Sequence, residues 1–320
     1  MAHLAPDAVA IDIVLTGICG TDIAALTGRE TGMAGIVRGH EAVGMVARIG
    51  SDVTRVSPGM RVVIDPNEYC GGCARCVAGR TNLCLGSEGG GLRISGVNQD
   101  GTFTETYVAQ ERFVYQLPDA VSWEAGVLIE PLACVLHNIA KAGVVAGEHV
   151  LLLGSGPMSL VAQLALRHIG ARPLAVEINA YRIEAARALG LNVVDAAGLD
   201  KMCAGGRRFD VVIDTVGNQL QRASDLVDLG GRIVLFGFND DYRFDLPAKD
   251  FLVRAVSIIG AGEYNQEFSR AISVAEQLTD LGAVVSHRFR LEEFDAALLA
   301  TGVGGPANAM KVVFTNHPPQ

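Results

Sequence analysis

The chain carries little positive charge. Its 320 residues include 26 lysines and arginines against 35 aspartates and glutamates, which gives a formal net charge of −9. Nucleic acids and anionic membrane surfaces attract basic proteins, so this balance argues against both. We therefore expect no nucleic acid and no membrane among the partners of this chain.

The sequence also lacks an unbroken apolar run long enough to cross a membrane. Its most apolar stretch, 150–169, is interrupted by two glycines and Pro157, which indicates a buried core element. We find no signal peptide, internal repeats, low-complexity segments or long linkers, and we expect a cytoplasmic location. With 49% hydrophobic residues, a chain of this length is expected to form two globular domains.

Seven cysteines are present, and four of them crowd into one short segment. Thiolates separated by two residues on a glycine-rich loop can face one tetrahedral metal ion, and Cys70, Cys73 and Cys76, followed by Cys84, fit this pattern. Four protein ligands leave no position for water, so we predict a structural zinc site. The alternatives are four free thiols, or a zinc ribbon that binds nucleic acid, which the acidic charge disfavours.

The stretch 150–159 organises the middle of the chain. Four apolar residues predict a buried parallel strand, Gly154 and Gly156 predict a tight turn, and Pro157 predicts the start of a helix that runs to residue 169. Backbone N–H groups at such a helix start can bind a pyrophosphate, and glycines let the backbone approach it. Ser159 replaces the third glycine of the usual pattern and is small enough for helix–strand contact.

A second predicted strand, 174–178, contains Glu177, whose carboxylate would accept the ribose hydroxyls of NAD. It follows Gly154 at close to the spacing of about 20 residues found in dinucleotide-binding folds. An ordinary strand-to-helix turn is the alternative, but strand, turn, helix, strand and acid together favour NAD, in preference to NADP. Arg182 could pair with a phosphate or pack near the adenine. The predicted cofactor-binding residues are Gly154, Gly156, Pro157, Met158, Glu177 and Arg182.

Strand patterns dominate both ends of the chain, and strands alternate with helices in the middle. The alternation predicts a doubly wound parallel sheet, whereas about the first 65 residues read as all-β with turns. Strands are predicted at 8–18, 42–50, 61–65, 101–109, 113–116, 150–153, 174–178, 193–194, 209–214, 232–236, 255–259 and 311–314. Helices are predicted at 157–169, 180–189 and 268–281, and a further one has Pro131 in its first turn.

Three further side chains could hold a second metal ion. Cys19, His40 and Glu130 are a thiolate, an imidazole and a carboxylate on separate predicted elements. Three such ligands leave a fourth zinc position open to water or substrate, as in catalytic sites. Spacing alone does not select these residues, because catalytic ligands come from distant positions and a lone histidine is more often structural.

The chain resembles the zinc-dependent medium-chain dehydrogenase/reductase superfamily, and within it the sorbitol and threonine dehydrogenases. The motifs that carry the resemblance occur in the family's order over nearly the whole chain. They are Gly17–Asp22, Gly39–Gly44, the four clustered cysteines, Glu130–Leu132, Gly154–Pro157 and Ser286–Phe289.

This resemblance implies an α/β fold with a GroES-like β-barrel catalytic domain, residues 1–132 and 268–320, and an inserted Rossmann NAD-binding domain, residues 133–267. It implies Cys19, His40 and Glu130 as ligands of a catalytic zinc, with Glu41 beside the metal as an outer or exchanging ligand. Thr21 matches the hydroxyl that relays the substrate proton. Two zinc ions per chain, NAD, and a homodimer or homotetramer are expected.

The implied reaction is hydride transfer between NAD and a secondary alcohol of a polyol, sugar or cyclitol, giving a ketone. A zinc lyase or isomerase that uses NAD transiently, and a non-catalytic cofactor-binding protein, are the alternatives. The segment before the first motif is shorter than the family usually has, so we expect the opening β-hairpin to be shortened or missing. The chain also has Ala24 where many members have a relay histidine. His137 could assist proton transfer, or could be a helix residue with no catalytic part.

Overall fold

The computed structural model describes residues 4–29, 33–87 and 89–316. The chain divides into two compact units. The first comprises Met1–Ala133 and Asn265–Gln320, and the second comprises Cys134–Tyr264. The roles of the predicted catalytic and NAD-binding domains stay predictions, since a division into units assigns no chemistry.

Fifteen strands and eleven helices build the described part of the chain. Strands β1 to β15 are Ala8–Gly17, Glu41–Ile49, Arg61–Ile64, Asn67–Glu68, Arg93–Ile94, Thr106–Gln110, Val114–Gln116, His149–Leu153, Arg172–Val176, Val193–Val194, Phe209–Asp214, Val227–Leu235, Ser257–Gly260, Val285–Phe289 and Lys311–Thr315. Helices α1 to α11 are Gly20–Leu26, Ala74–Val77, Trp123–Gly126, Ile129–Ala142, Pro157–His168, Ala180–Ala188, Ala196–Ala204, Leu220–Leu226, Ala248–Arg254, Phe268–Ala275 and Phe294–Thr301. Short 3₁₀ turns occupy Thr81–Leu83, Glu111–Phe113, Leu281–Val284 and Leu291–Glu293.

The first unit is built on a seven-stranded sheet in the order β14-β15-β1-β2-β3-β7, with β6 also paired to β1. Strand β1 is central because it pairs antiparallel with β2, with β6 along its first half and with β15 at its end. Alternating residues of β1, including Val9, Ile11 and Ile13, are buried in one apolar cluster with residues of β2 and β3. The end of β1 is therefore held on both sides by other strands.

The prediction that the first residues are all-β is wrong, because α1 follows β1 directly. Asp22, in the first turn of α1, accepts a hydrogen bond from the backbone N–H of Cys19 at 3.0 Å. This contact caps the helix by satisfying an N–H group that has no partner within the helix.

The second unit is a parallel sheet in the order β10-β9-β8-β11-β12-β13. This is the 3-2-1-4-5-6 order of a doubly wound dinucleotide-binding fold, so the predicted parallel sheet is confirmed. Apolar residues of β8, β11 and β12, such as Leu151, Val212 and Ile233, are fully buried in one cluster. The order reverses between β8 and β11, and ligands of such sheets bind at this point, beyond the carboxyl ends of the strands.

Several predicted boundaries are wrong for identifiable reasons. Residues 101–105 are not a strand, because the N–H groups of Thr102 and Phe103 bond to loop carbonyls at 38–39. Helix α10 ends at Ala275 and not at 281. Beyond it, the N–H of Leu278 donates to the carbonyls of both Val274 and Ala275, so the regular helical hydrogen bonding stops. Strand β12 begins at Val227 and not at 232, because Val227 already pairs with Phe209 of β11. A register shift follows before Arg232 pairs with Val211.

Strand β13 begins later than predicted, since Ala255 ends α9 with a left-handed φ of 54°. Among the residues that the structure describes, no helix is long and apolar enough to span a bilayer.

Candidate metal centres and cofactor site

A cysteine, a histidine and a glutamate meet at the end of β1. Cys19 lies between β1 and α1, while Glu41 opens β2 and pairs with Gly17 of β1. One potential ligand atom from each of Cys19, His40 and Glu41 lies within 4.8 Å of the other two. His40 and Glu41 are buried, and Cys19 is half-buried. A thiolate, an imidazole and a carboxylate form a ligand set suited to zinc.

Close backbone contacts fix the position of His40. The preceding residue, Gly39, has a φ of +96°, which favours glycine. The N–H of Thr102 donates to the Gly39 carbonyl at 2.9 Å. A Cβ on Gly96 or Gly101 would lie 2.2 or 2.1 Å from the same carbonyl oxygen. These glycines allow a distant loop to approach the backbone beside His40 directly.

An aspartate in the first turn of α1 supports the same cluster. Asp22 is fully buried and accepts hydrogen bonds from the Cys19 N–H and, at 3.3 Å, from Nε of Arg38. Its carboxylate lies 3.9 Å from Nδ1 of His40. Burial alone would lower the pKa of His40, but the negative charges of Cys19 and Asp22 raise it well above 6.5. The metal-free cluster therefore attracts positive charge.

A buried lysine pairs with Glu41. Lys311, the first residue of β15, contacts the Glu41 carboxylate, and both side chains are almost completely inaccessible to solvent. Burial alone would lower the pKa of Lys311, but the charges of Glu41 and Cys19 raise it. The ammonium group therefore stays charged inside the protein.

Glu130, the predicted third ligand, lies outside the three-residue group. It is buried near the start of α4, and its negative charge acts on both His40 and Lys311. The geometry thus groups Glu41 with Cys19, and the role of Glu130 as a ligand stays a prediction.

Residues of the predicted proton path lie on α1 and α4. The Thr21 hydroxyl oxygen is buried and has no hydrogen-bond partner within the described residues, as suits a group that bonds a ligand. Ala24 is buried and carries no proton. His137 is buried on α4 and belongs to the second unit. Its part in catalysis stays a prediction.

The charges around the cluster are consistent with a divalent cation. Four acidic side chains face two basic ones, and His40 is the remaining titratable group. The acidic set is Cys19, Asp22, Glu41 and Glu130, and the basic set is Arg38 and Lys311. A divalent cation would offset this excess of acidic groups, with Cys19 bound to it as a thiolate and His40 as a neutral imidazole, the forms that ligate metal.

The four clustered cysteines form a second candidate metal centre in the first unit. Their sulfur atoms all lie within 4.8 Å of one another. Backbone N–H groups donate to the sulfurs of Cys70, Cys73 and Cys84 at 3.2–3.4 Å. Donors from Leu85 and Cys76 lower the pKa of Cys73 to about 6, whereas burial raises the pKa of Cys76 to about 12. Four sulfurs with backbone donors fit a closed tetrahedral site.

The glycine turn of the second unit lies between β8 and α5. Gly154 has a φ of +97°, and a Cβ there would lie 2.8 Å from the hydroxyl of Thr215, which follows β11. Gly156 is the N-cap of α5, Pro157 is its first residue and Met158 follows. The predicted turn therefore lies at the point where the strand order reverses, with the start of α5 beside it.

The predicted ribose acceptor is tied to this turn. Glu177 follows β9 and is buried, and its carboxylate accepts hydrogen bonds from the N–H groups of Ser155 at 2.8 Å and of Ile178 and Asn179. The guanidinium of Arg182 lies 3.7 Å from the position of a Cβ on Gly156. The structure thus brings Glu177 and Arg182 to the same glycine turn.

Comparisons with known proteins identify the family that this chain resembles. The family model described as "Alcohol dehydrogenase GroES-like domain" matches residues 5–119, and "Zinc-binding dehydrogenase" matches 157–277. D-altritol 5-dehydrogenase of Agrobacterium fabrum is 32% identical, with 92% of this chain and 88% of the relative covered. L-threonine 3-dehydrogenase of Anaeromyxobacter dehalogenans is 32% identical, with 89% and 85% covered. The solved structure of a zinc-binding dehydrogenase from Sinorhizobium meliloti, bound to NADP, is 28% identical with a TM-score of 0.86, covering 98% of this chain and 93% of that one.

The chain belongs to the zinc-dependent medium-chain dehydrogenase/reductase superfamily. It is an enzyme of the zinc-type alcohol dehydrogenase class, and zinc and a nicotinamide dinucleotide are its cofactors. The predicted family, fold class and enzyme class are thereby confirmed.

Sequence reasoning missed three side chains of the first metal centre. Asp22 stands three residues after Cys19, at the spacing of a helix cap, and this signal could have identified it. Arg38 and Lys311 had no comparable signal, because their partners, Asp22 on α1 and Glu41 on β2, lie on other elements of the fold.

Proposed function

We propose that the protein oxidises a secondary alcohol of a polyol, sugar or cyclitol to a ketone, with transfer of a hydride to NAD⁺ and release of a proton. The observation that carries this proposal is the cluster of Cys19, His40 and Glu41, whose potential ligand atoms all lie within 4.8 Å of one another. One relative is named for oxidation of altritol and another for oxidation of threonine at carbon 3. Both names describe compounds with a secondary hydroxyl, and both support this substrate class.

A divalent metal ion held by Cys19, His40 and a carboxylate would act as a Lewis acid on the substrate hydroxyl. The chain supplies the other functions. Asp22 fixes the backbone of Cys19 by its hydrogen bond to that N–H. The unpartnered hydroxyl of Thr21 is suited to take up the substrate proton and pass it on. Because Ala24 cannot carry that proton further, we infer that it leaves by water or by another group.

The cofactor is proposed to be NAD in preference to NADP. The carboxylate of Glu177 would accept hydrogen bonds from a ribose diol and would repel a 2′-phosphate. Arg182, beside the same turn, could offset that repulsion, and the Sinorhizobium meliloti structure holds NADP. Steady-state kinetics with both cofactors test the proposal, which predicts a higher kcat/KM with NAD. Comparable or higher kcat/KM with NADP would overturn it.

The four-cysteine site is proposed to hold a structural zinc that orders the loop around it. Four sulfur ligands leave no position for substrate. Backbone N–H groups donate to three of the sulfurs and stabilise their thiolate forms, which also supports this role. The protein would then hold two zinc ions per chain.

We further infer a homo-oligomer, either a dimer or a tetramer. Strand β13 ends the sheet of the second unit, and this unit exposes Leu229, Leu252 and Val253. An open sheet edge and exposed apolar side chains are features that a subunit interface would cover. A cytoplasmic location and the absence of nucleic-acid and membrane partners remain predictions from the sequence.

The test of the reaction is incubation with NAD and a panel of hexitols, sugars, cyclitols and L-threonine, with NADH absorbance and product analysis. A secondary-alcohol dehydrogenase accumulates NADH and ketone in equal amounts. A lyase or isomerase would convert substrate with no net NADH, and a non-catalytic protein would bind NAD and convert nothing. Either result across the panel would contradict the proposal.

A further inference from the structure

A cavity of about 310 Å³ opens at one edge of the parallel sheet in the second unit. Its volume lies within the range of small-molecule sites, about 300–1,000 Å³. Strands β8 and β9 begin beside this cavity with His149 and Arg172, so it lies at the amino ends of the strands. The residues that line it include His149, Arg172, Leu174, Asn192, Met202 and Arg207.

The cavity is separate from the glycine turn, which lies at the other end of the same strands. Strand β8 spans His149–Leu153, and Gly154 follows its last residue. At a rise of about 3.3 Å per residue, the two ends of this strand lie about 13 Å apart. Doubly wound sheets bind dinucleotides beyond the carboxyl ends of their strands, so this cavity is not the dinucleotide site.

Two arginine side chains give the cavity positive charge. Arg172 and Arg207 both line it and are exposed, and among the described residues neither guanidinium pairs with a carboxylate. The guanidinium of Arg207 lies over the ring of Phe209, 5.4 Å from the ring centroid, and this contact holds the side chain beside β11. Two such groups favour an anion, because each guanidinium presents several N–H donors to a carboxylate or phosphate.

One acidic group lies nearby and does not cancel this charge. The Asp210 carboxylate accepts a hydrogen bond from the backbone N–H of His149 at 2.8 Å and lies 3.8 Å from Nδ1 of the same histidine. None of the described residues that line the cavity is itself an aspartate or a glutamate. Asp210 therefore acts on His149, and the two arginines remain available to a ligand.

Part of the cavity wall is apolar. Leu174 and Val193 line the cavity and are buried, and Met202 is half-buried. Leu174 belongs to the buried apolar cluster of the second unit, and Met202 packs against that cluster. An inorganic anion would leave this wall in contact with water, whereas the apolar part of an organic anion would cover it.

We propose that the cavity is a binding site for a small organic anion. A carboxylate or phosphate group of the ligand pairs with Arg172 and Arg207, and its apolar body packs against Leu174 and Met202. This inference goes beyond the proposed function and does not depend on it, since neither the metal ions nor the reacting alcohol takes part.

The experiment is a calorimetric titration of the full chain, in the presence of excess NAD, with four probes. Phenyl phosphate and benzoate each combine an aromatic ring with an anionic group. Inorganic phosphate carries the charge without the ring, and benzamide carries the ring without the charge. Because the two arginines are exposed, the titrations are made at low ionic strength, where attraction between charges is less screened.

Three variants locate the binding site. Arg172→Gln and Arg207→Gln each remove one positive charge. Asn192→Trp fills the cavity and keeps both arginines, and residue 192 is exposed, so the indole does not have to enter the core. Arg187→Gln is the matched control, because Arg187 is exposed in the last turn of α6 and does not line the cavity. The Tm of each variant shows whether it is folded.

We expect phenyl phosphate, benzoate or both to bind with a Kd of about 1 mM or lower, and inorganic phosphate and benzamide to bind at least about tenfold more weakly. Loss of either arginine should raise the Kd about tenfold, as expected for the loss of a hydrogen bond between charged groups. Asn192→Trp should abolish binding, and Arg187→Gln should leave the Kd unchanged. Whichever aromatic anion binds more tightly identifies the anionic group of the ligand as phosphate or carboxylate.

Equal affinity for inorganic phosphate and phenyl phosphate would indicate an adventitious ion only and would overturn the proposal. No binding of either aromatic anion, wild-type affinity in Arg172→Gln and Asn192→Trp, or equal weakening in Arg187→Gln would overturn it as well. If Arg207→Gln does not fold without its contact to Phe209, the variants at 172 and 192 decide the test. No turnover is measured, so failure of this proposal is distinct from failure of the proposed function.

Discussion

The two cysteine-containing clusters of the first unit differ in what surrounds their ligand atoms. The sulfurs of the four-cysteine site accept hydrogen bonds from backbone N–H groups. The Cys19 cluster is surrounded by charged side chains, with Asp22, Arg38 and Lys311 each bonded to a member of the cluster or to its partner. Backbone donors hold a site rigid, whereas charged side chains can exchange partners. The surroundings, as much as the ligands, therefore separate a structural from a catalytic metal site.

The largest effect is expected from His40→Ala, which removes a ligand of the Cys19 cluster. Loss of a ligand removes metal polarisation of the substrate, which is worth several kcal/mol, so turnover should fall about a thousandfold or more. NAD binding by the second unit should persist, as measured by fluorescence titration. The exposed His168 offers a control in His168→Ala, which should retain activity. Substantial turnover in His40→Ala would contradict the assignment of the Cys19 cluster as the catalytic metal site.

Cys73→Ser should affect stability more than chemistry. The structural metal contributes folding free energy, and a loss of several kcal/mol corresponds to a fall in Tm on the order of 5–10 °C. Calorimetry and metal analysis check this outcome, with Cys203→Ser, which lies outside both clusters, as the control. A variant of normal Tm but abolished turnover would reverse the roles given to the two sites.

A third prediction concerns thiol reactivity in chelator-treated protein. The pKa of Cys73 is lowered from 9.0 to about 6, so its thiolate, and the stability from its backbone donors, persist above pH 9 and are lost as pH falls through about 6. Cys76, whose pKa is raised to about 12, should remain protonated at neutral pH. Alkylation followed by mass spectrometry at a series of pH values should modify Cys73 first. Preferential modification of Cys76 would show that the backbone donors do not control this site.

The smallest effect is expected from Ala24→His. A histidine on α1 would give the proton from Thr21 a second station, so the pH dependence of hydride transfer in single-turnover experiments should change. An unchanged profile would mean that protons already leave by another route and that a histidine at position 24 has no kinetic consequence.

The sequence predicted those features whose signals are local. The apolar strand with Gly154 and Gly156 and the four cysteines carry their own spacing, and the structure places each group together. Helix α1 was missed because the signal for its start is one side chain, that of Asp22, which accepts a hydrogen bond from the N–H of the N-cap residue Cys19. Lys311 could not be found, because its partner Glu41 lies 270 positions away in the chain and meets it only across β1. Whether Glu41 or Glu130 completes the ligand set is likewise decided by tertiary packing and not by spacing.

The central claim is that one chain holds two metal ions, one in each cluster of the first unit. Elemental analysis of freshly purified native protein, with zinc expressed per chain, tests it most directly. We expect two zinc ions per chain in the wild type and one in Cys19→Ala, with the remaining zinc in the four-cysteine site. A single zinc per chain in the wild-type protein would contradict it.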